Sequence, residues 1–170
     1  MERYFLQTVG TPVISEHGQL CGRIYDIIID PETGSVAAFS LSMKNRKVLA
    51  PIDVITWGRQ IIIGHSEDII DANEIHKVAK ILEKEIPVLR NKVYTKKGEY
   101  IGKVIDYSMD PQLFALTSIV TARDILGILQ WDKRIINYKD IIEIRKDAII
   151  VKNNVNVVME KKLEMATPAA

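Results

Sequence analysis

Apolar residues in this chain come in short runs that alternate with polar ones and are broken at close intervals by Gly, Pro, Asn and Asp. Between residues 36 and 43, Ala37, Phe39, Leu41 and Met43 fall on one side and Val36, Ala38, Ser40 and Ser42 on the other, which predicts a strand with Phe39, Leu41 and Met43 on one face. The same reasoning predicts strands over residues 12–15, 21–30, 47–50, 54–57 and 60–64. The intervening turns are 16–18, Asp30-Pro-Glu-Thr-Gly34 and 44–46; in the second, Pro presets φ and Gly supplies a positive φ. Residues 71–85 change period: Ile75, Val78, Ala79 and Leu82 stand at helical spacing, with Asp71 as N-cap and Glu74 three residues later. Pro87 ends that helix by Glu85 or Ile86. Strands then resume over 88–95, 101–110 and 115–121, followed by a connection at 122–133 and strands at 134–137, 141–144 and 148–152. Many short strands joined by Gly/Pro turns predict small barrels.

The two strand-rich halves share a sentence. Gly18-Gln-Leu-Cys-Gly22-Arg-Ile-Tyr-Asp26-Ile-Ile-Ile-Asp30-Pro31 returns 80 positions later as Gly98-Glu-Tyr-Ile-Gly102-Lys-Val-Ile-Asp106-Tyr-Ser-Met-Asp110-Pro111. The residues kept are mainly those that set backbone conformation, so Gly18, Gly22, Asp26, Asp30, Pro31, Gly98, Gly102, Asp106, Asp110 and Pro111 are read as turn and bulge residues. Alternation slips in both copies at the same place, which predicts a β-bulge with its extra residue at Asp26 and Asp106, each accepting backbone hydrogen bonds. The expected organisation is mainly β: a first small barrel over 1–70, a short amphipathic helix over 71–85, a second barrel over 86–156 and a frayed tail over 157–170.

The run Gly-x-x-x-Gly-x-Ile-x-Asp-x-x-x-Asp-Pro-x-x-Gly, a return strand, and then Val48-Leu-Ala-Pro51-Ile-Asp53-Val-Ile resembles the PRC-barrel domain, the β-barrel named after the H subunit of the photosynthetic reaction centre. The resemblance covers nearly all of residues 8–65 and, less tightly, 86–153. In the second copy Asn137-Tyr-Lys-Asp140 replaces the Pro-Ile-Asp element, and Gln112-Leu-Phe replaces Glu-Thr-Gly. The resemblance implies two PRC-type barrels in tandem. It also implies docking without catalysis, since the family includes reaction-centre subunits and the C-terminal domain of a ribosome maturation factor.

Composition adds little pull toward any partner, with a net charge of +1. The balance is uneven: residues 86–170 carry 14 basic and 10 acidic side chains, whereas residues 1–70 carry 6 and 8. The one cysteine, Cys21, fits a reducing compartment. There is no apolar run of membrane-spanning length and no signal-peptide order at the N-terminus, so the expected location is the cytoplasm. His17, His65 and His76 lack metal-ligand spacing, and no nucleophile, base and oxyanion donor can be assembled. No catalytic residue, cofactor or metal is therefore expected.

Two features could carry binding. The connection in the second copy is seven residues longer than its counterpart and holds Leu126, Ile128, Leu129 and Trp131, an apolar set suited to a protein partner or a second copy of the chain. Arg90, Lys92, Lys96, Lys97 and Lys103, with Tyr94 and Tyr100 among them, could instead bind RNA. The expected function is a non-enzymatic protein-interaction module; the alternative is an RNA- or ribosome-associated assembly factor using the basic second barrel.

Overall fold

A computed structural model describes residues 1–125, 129–155 and 158–159. Among these, the first half contains β1 (Arg3–Tyr4), a single helical turn α1 (Phe5–Thr8), β2 (Pro12–Ser15), β3 (Leu20–Arg23), β4 (Asp26–Ile29), β5 (Val36–Ser40), β6 (Lys47–Leu49), β7 (Val54–Trp57), β8 (Ile61–Ile63) and β9 (Ile69–Asp71). Helix α2 (His76–Lys84) follows. The second half contains β10 (Lys92–Thr95), β11 (Tyr100–Asp110), β12 (Ala115–Ile125), β13 (Leu129–Asn137), β14 (Ile141–Ile144), β15 (Ile149–Val151) and β16 (Val158–Met159). The protein is mainly β. The first half makes two four-stranded sheets, ordered β3-β2-β8-β7 and β4-β5-β6-β9. The second makes one sheet ordered β14-β15-β10-β11-β12-β13-β16, with β1 of the first half added to β11.

The pairing of the second half repeats that of the first, register included. The parallel contact Val13↔Ile61, Ile14↔Ile62, Ser15↔Ile63 returns as Val93↔Ile149, Tyr94↔Ile150, Thr95↔Val151. The pair β2–β3 skips one residue between Val13↔Gly22 and Ile14↔Leu20, and β10–β11 skips the same one between Val93↔Gly102 and Tyr94↔Tyr100. Ile27↔Phe39 and Ile29↔Val36 recur as Tyr107↔Ile119 and Met109↔Leu116. Even the short pair Lys47↔Asp71, Val48↔Ile70 recurs as Arg134↔Met159, Ile135↔Val158.

The halves interlock reciprocally. Val36 N–H donates to Phe114 O at 2.7 Å, and Leu116 N–H donates to Gly34 O at 2.8 Å, around a bridge between Ser35 and Ala115. Each of these residues has its counterpart 80 positions away in the same pair of bonds, which is the signature of a pseudo-twofold contact. Around it the turn residue Phe114 packs on Trp57 (ring centroids 5.8 Å apart) and Phe39 (6.2 Å), while Phe5 stacks on Tyr107 at 4.9 Å. One buried cluster consequently runs from Val13, Phe39 and Ile61 into Val93, Ile119 and Ile149. A second, smaller one holds Val78 of α2 against Ile28, Ala38 and Val48.

Several local expectations change. Residues 21–30 do not form one strand: the chain breaks at Ile24-Tyr25, and β3 and β4 lie in different sheets. Ile24 N–H turns to Thr11 O and Tyr25 N–H to Ser40 O, so the break leaves no amide unpaired. In the second half the same stretch stays continuous and bulges at Ile105, between Val104↔Thr121 and Asp106↔Val120, one residue earlier than the alternation suggested. The capping box of Asp71 and Glu74 caps a 3-10 turn at Ala72–Glu74, and α2 starts later, at His76. Of the connection expected at 122–133, residues 122–125 and 129–133 instead continue β12 and β13, with Arg123↔Trp131, Asp124↔Gln130 and Ile125↔Leu129 paired. Val158 and Met159, placed in the tail by their sequence, pair with β13. The rest of the tail expected over 157–170 lies outside the described residues.

Candidate binding surfaces

The kept turn and bulge residues occupy matching backbone positions. Gly18 and Gly98 have φ of 81° and 87°, and each donates its N–H at 2.8 Å to the strand residue before the turn, Ser15 or Thr95. The Asp30 carboxylate accepts from Glu32 N–H at 3.0 Å, and Asp110 accepts from Gln112 and Leu113 N–H at 2.7 and 3.0 Å. Pro31 and Pro111 follow them in the turns. Where the first turn ends on Gly34 (φ 71°), the second ends on Phe114, held at φ 50° by its aromatic neighbours. Asp26 accepts from Ile27 N–H at 2.8 Å, and Asp106 from Tyr107 N–H at 2.9 Å. Gly22 pairs with Val13, and Gly102 with Val93.

One difference within this symmetry creates a groove. Asp106 takes a second donor, Leu6 N–H at 3.1 Å, because β1 lies along the edge of β11 with Arg3↔Met109 and Tyr4↔Ser108. Asp26 has no such second donor among the described residues. Beside it lies an open cavity of about 860 Å³, lined by Ile27–Ile29 of β4, Ile81 and Leu82 of α2, the segment 85–90, Phe5 and Tyr107. Burial raises the Asp26 carboxyl above the ordinary carboxylate range, against the opposing effect of the Ile27 N–H. Tyr107, 2 % exposed, is pushed well up by burial and then by the charges of Asp26 and Asp106.

The basic residues divide. Lys92 and Lys103 are directly opposed across β10–β11, next to the opposed pair Tyr94 and Tyr100, whose rings lie 5.3 Å apart. Lys92, Lys96, Lys97 and Lys103 are exposed, and none joins an ion pair among the described residues. Like charges directly opposite one another on a sheet repel, so an anion between Lys92 and Lys103 would relieve that cost. Arg90 lines the groove, and its N–H donates to Val104 O. Arg123 holds the start of β11 through the carbonyls of Ile101 and Tyr100. Of the apolar set, Leu126 and Ile128 lie outside the described residues, and the backbone of Leu129 and Trp131 lies in β13.

The groove was not among the sites expected from sequence. Its lining comes from five separate stretches, and the local signal was confined to Asp26 and the helical face that includes Leu82. Of the other polar candidates, His17 and His65 sit with rings 6.0 Å apart, and the described residues contain no group of His, Cys, Asp and Glu able to hold a metal ion. No helix among them is long and apolar enough to cross a membrane. In comparison with known proteins, residues 2–74 match the PRC-barrel domain family. No curated protein matches the chain.

Proposed function

We propose that the chain is two PRC-type barrels in tandem, working in the cytoplasm as a non-enzymatic docking module for another protein or for a second copy of itself. The observation that carries this is the family match over residues 2–74, extended by the recurrence of the same residue pairings in the second half. The family match supports a non-catalytic module in general. Docking through the lengthened β12–β13 hairpin is favoured by its composition: Leu126, Ile128, Leu129 and Trp131 are costly to leave in water, at about 25 cal/mol per Å² of apolar surface.

A second reading rests on a different observation. Four lysines that join no ion pair among the described residues lie on the β10–β11 hairpin with Tyr94 and Tyr100, which supports RNA binding by stacking and phosphate contact. Affinity capture from lysate with and without nuclease separates the two. A protein partner retained after nuclease supports docking, and loss of all captured material on nuclease treatment supports the RNA reading.

A further inference from the structure

Ile27, Ile28 and Ile29 of β4 are only 5–6 % exposed, yet the edge they form has no paired strand among the described residues, and the repeat shows what the equivalent edge holds. In the second half, the side of β11 facing away from β12 is covered by β1 at Ser108 and Met109. The chain then turns so that Leu6 N–H reaches Asp106 and Phe5 stacks on Tyr107. The counterparts of Ser108 and Met109 are Ile28 and Ile29 of β4, and those of Arg3 and Tyr4 are Glu83 and Lys84. Glu83 and Lys84 belong to the last turn of α2, and among the described residues no strand covers this edge. At the end of this helix Lys84 pairs with Glu32, and Lys146 pairs with Glu85 at 2.8 Å.

The backbone groups at that edge face the groove. Asp30 N–H donates to Ser35 O, so strand alternation turns Ile28 toward β5 and the N–H and C=O of Ile27 and Ile29 away from it. Asp26 occupies the Ile27 N–H, as Asp106 does that of Tyr107. What remains is a strand edge at Ile29, a carboxylate lacking the donor its twin has, and an apolar cavity within the roughly 300–1,000 Å³ of ligand pockets. Tyr107 lines the same cavity, and no described residue hydrogen-bonds its hydroxyl.

We infer that the edge of β4 at Ile27–Ile29 is an acceptor site for an extended segment of a partner polypeptide. The segment adds antiparallel as one strand, places a backbone N–H on Asp26 and lays a large apolar side chain over Ile27, where the second half holds Phe5. Main-chain pairing supplies affinity, and the groove formed by α2 and the segment 85–90 selects the side chain. The site lies apart from the β12–β13 hairpin.

The test uses the full chain and a synthetic peptide with the sequence of residues 1–8, the segment whose own copy fills the equivalent edge. Saturable binding is expected, with amide exchange at Ile29 slowed at least about tenfold as an edge amide becomes hydrogen-bonded. A peptide N-methylated at the positions of Phe5 and Leu6 should bind at least about tenfold more weakly, and Asp26→Ala should weaken the unmodified peptide by about the same factor. Absence of saturable binding at millimolar peptide, protection confined to Met109, or equal binding of the N-methylated peptide would each overturn the inference. The last comparison needs no protein variant, so a folding defect in Asp26→Ala does not blunt it. No lysate is involved, so failure here leaves the docking proposal untouched.

Discussion

Replacing Gly34 by alanine probes the contact between the two halves. Gly34 stands at φ +71°, and a Cβ there would lie 2.4 Å from Tyr138 Cζ and 2.6 Å from its Cε2 and hydroxyl oxygen. The left-handed conformation costs a non-glycine residue about 1–2 kcal/mol. The Tyr138 ring must also withdraw from a position packed against the shared core, an overpacking cost of about 1–3 kcal/mol. Gly34→Ala should therefore destabilise the chain by about 2–5 kcal/mol in equilibrium denaturant unfolding followed by circular dichroism. In a Tyr138→Ala background the second contribution vanishes, and the same substitution should cost only about 1–2 kcal/mol. The coupling measured by the cycle is then about 1–3 kcal/mol between residues 104 positions apart in sequence. Equal costs in the two backgrounds would refute the contact between the first half's turn and the second half's Tyr138.

Two further perturbations exploit differences between equivalent positions. A Cβ at Gly102 (φ +151°) would meet the Ala122 carbonyl oxygen at 2.6 Å, whereas at Gly22 it meets the movable Leu41 Cδ2 at 2.9 Å. Gly102→Ala should consequently lose about 1–3 kcal/mol more than Gly22→Ala, and equal midpoint shifts would contradict the close backbone approach. Burial pushes the Asp30 carboxyl up, but the Lys77 ammonium at 2.9 Å, the Glu32 N–H and the Thr33 hydroxyl together hold it below the ordinary carboxylate range. A depressed carboxyl contributes stability present at neutral pH and lost as pH falls through its folded value. Lys77→Met should thus cost about 0.5–1 kcal/mol at pH 7 and nothing in strong acid, and a difference that persists unchanged there would count against the pair.

Much of the fold was legible because the repeated residues are those that constrain backbone: Gly18 and Gly98, Asp30 and Asp110 hold matching turns. What escaped depends on partners distant in sequence. The same fourteen-residue sentence forms two strands in one half and a single bulged strand in the other. The break at Ile24-Tyr25 relies on Thr11 and Ser40 to accept its amides, which no local pattern encodes. Phe114 takes the place of Gly34 at positive φ, and only its packing on Trp57 and Phe39, distant in sequence, accompanies the conformation Gly34 adopts freely. The pairing of Arg3 and Tyr4 with β11 spans more than 100 residues, and without it the bare edge of β4 has no counterpart against which to be noticed.

Docking is tested most directly by quantifying capture from nuclease-treated lysate, or self-association, for the wild type and for Leu129→Ser/Trp131→Ser. The account predicts a protein partner or a second copy held by the wild type and lost by the double variant, with unchanged circular dichroism. Material captured only in the absence of nuclease, or association undiminished in the double variant, would contradict it.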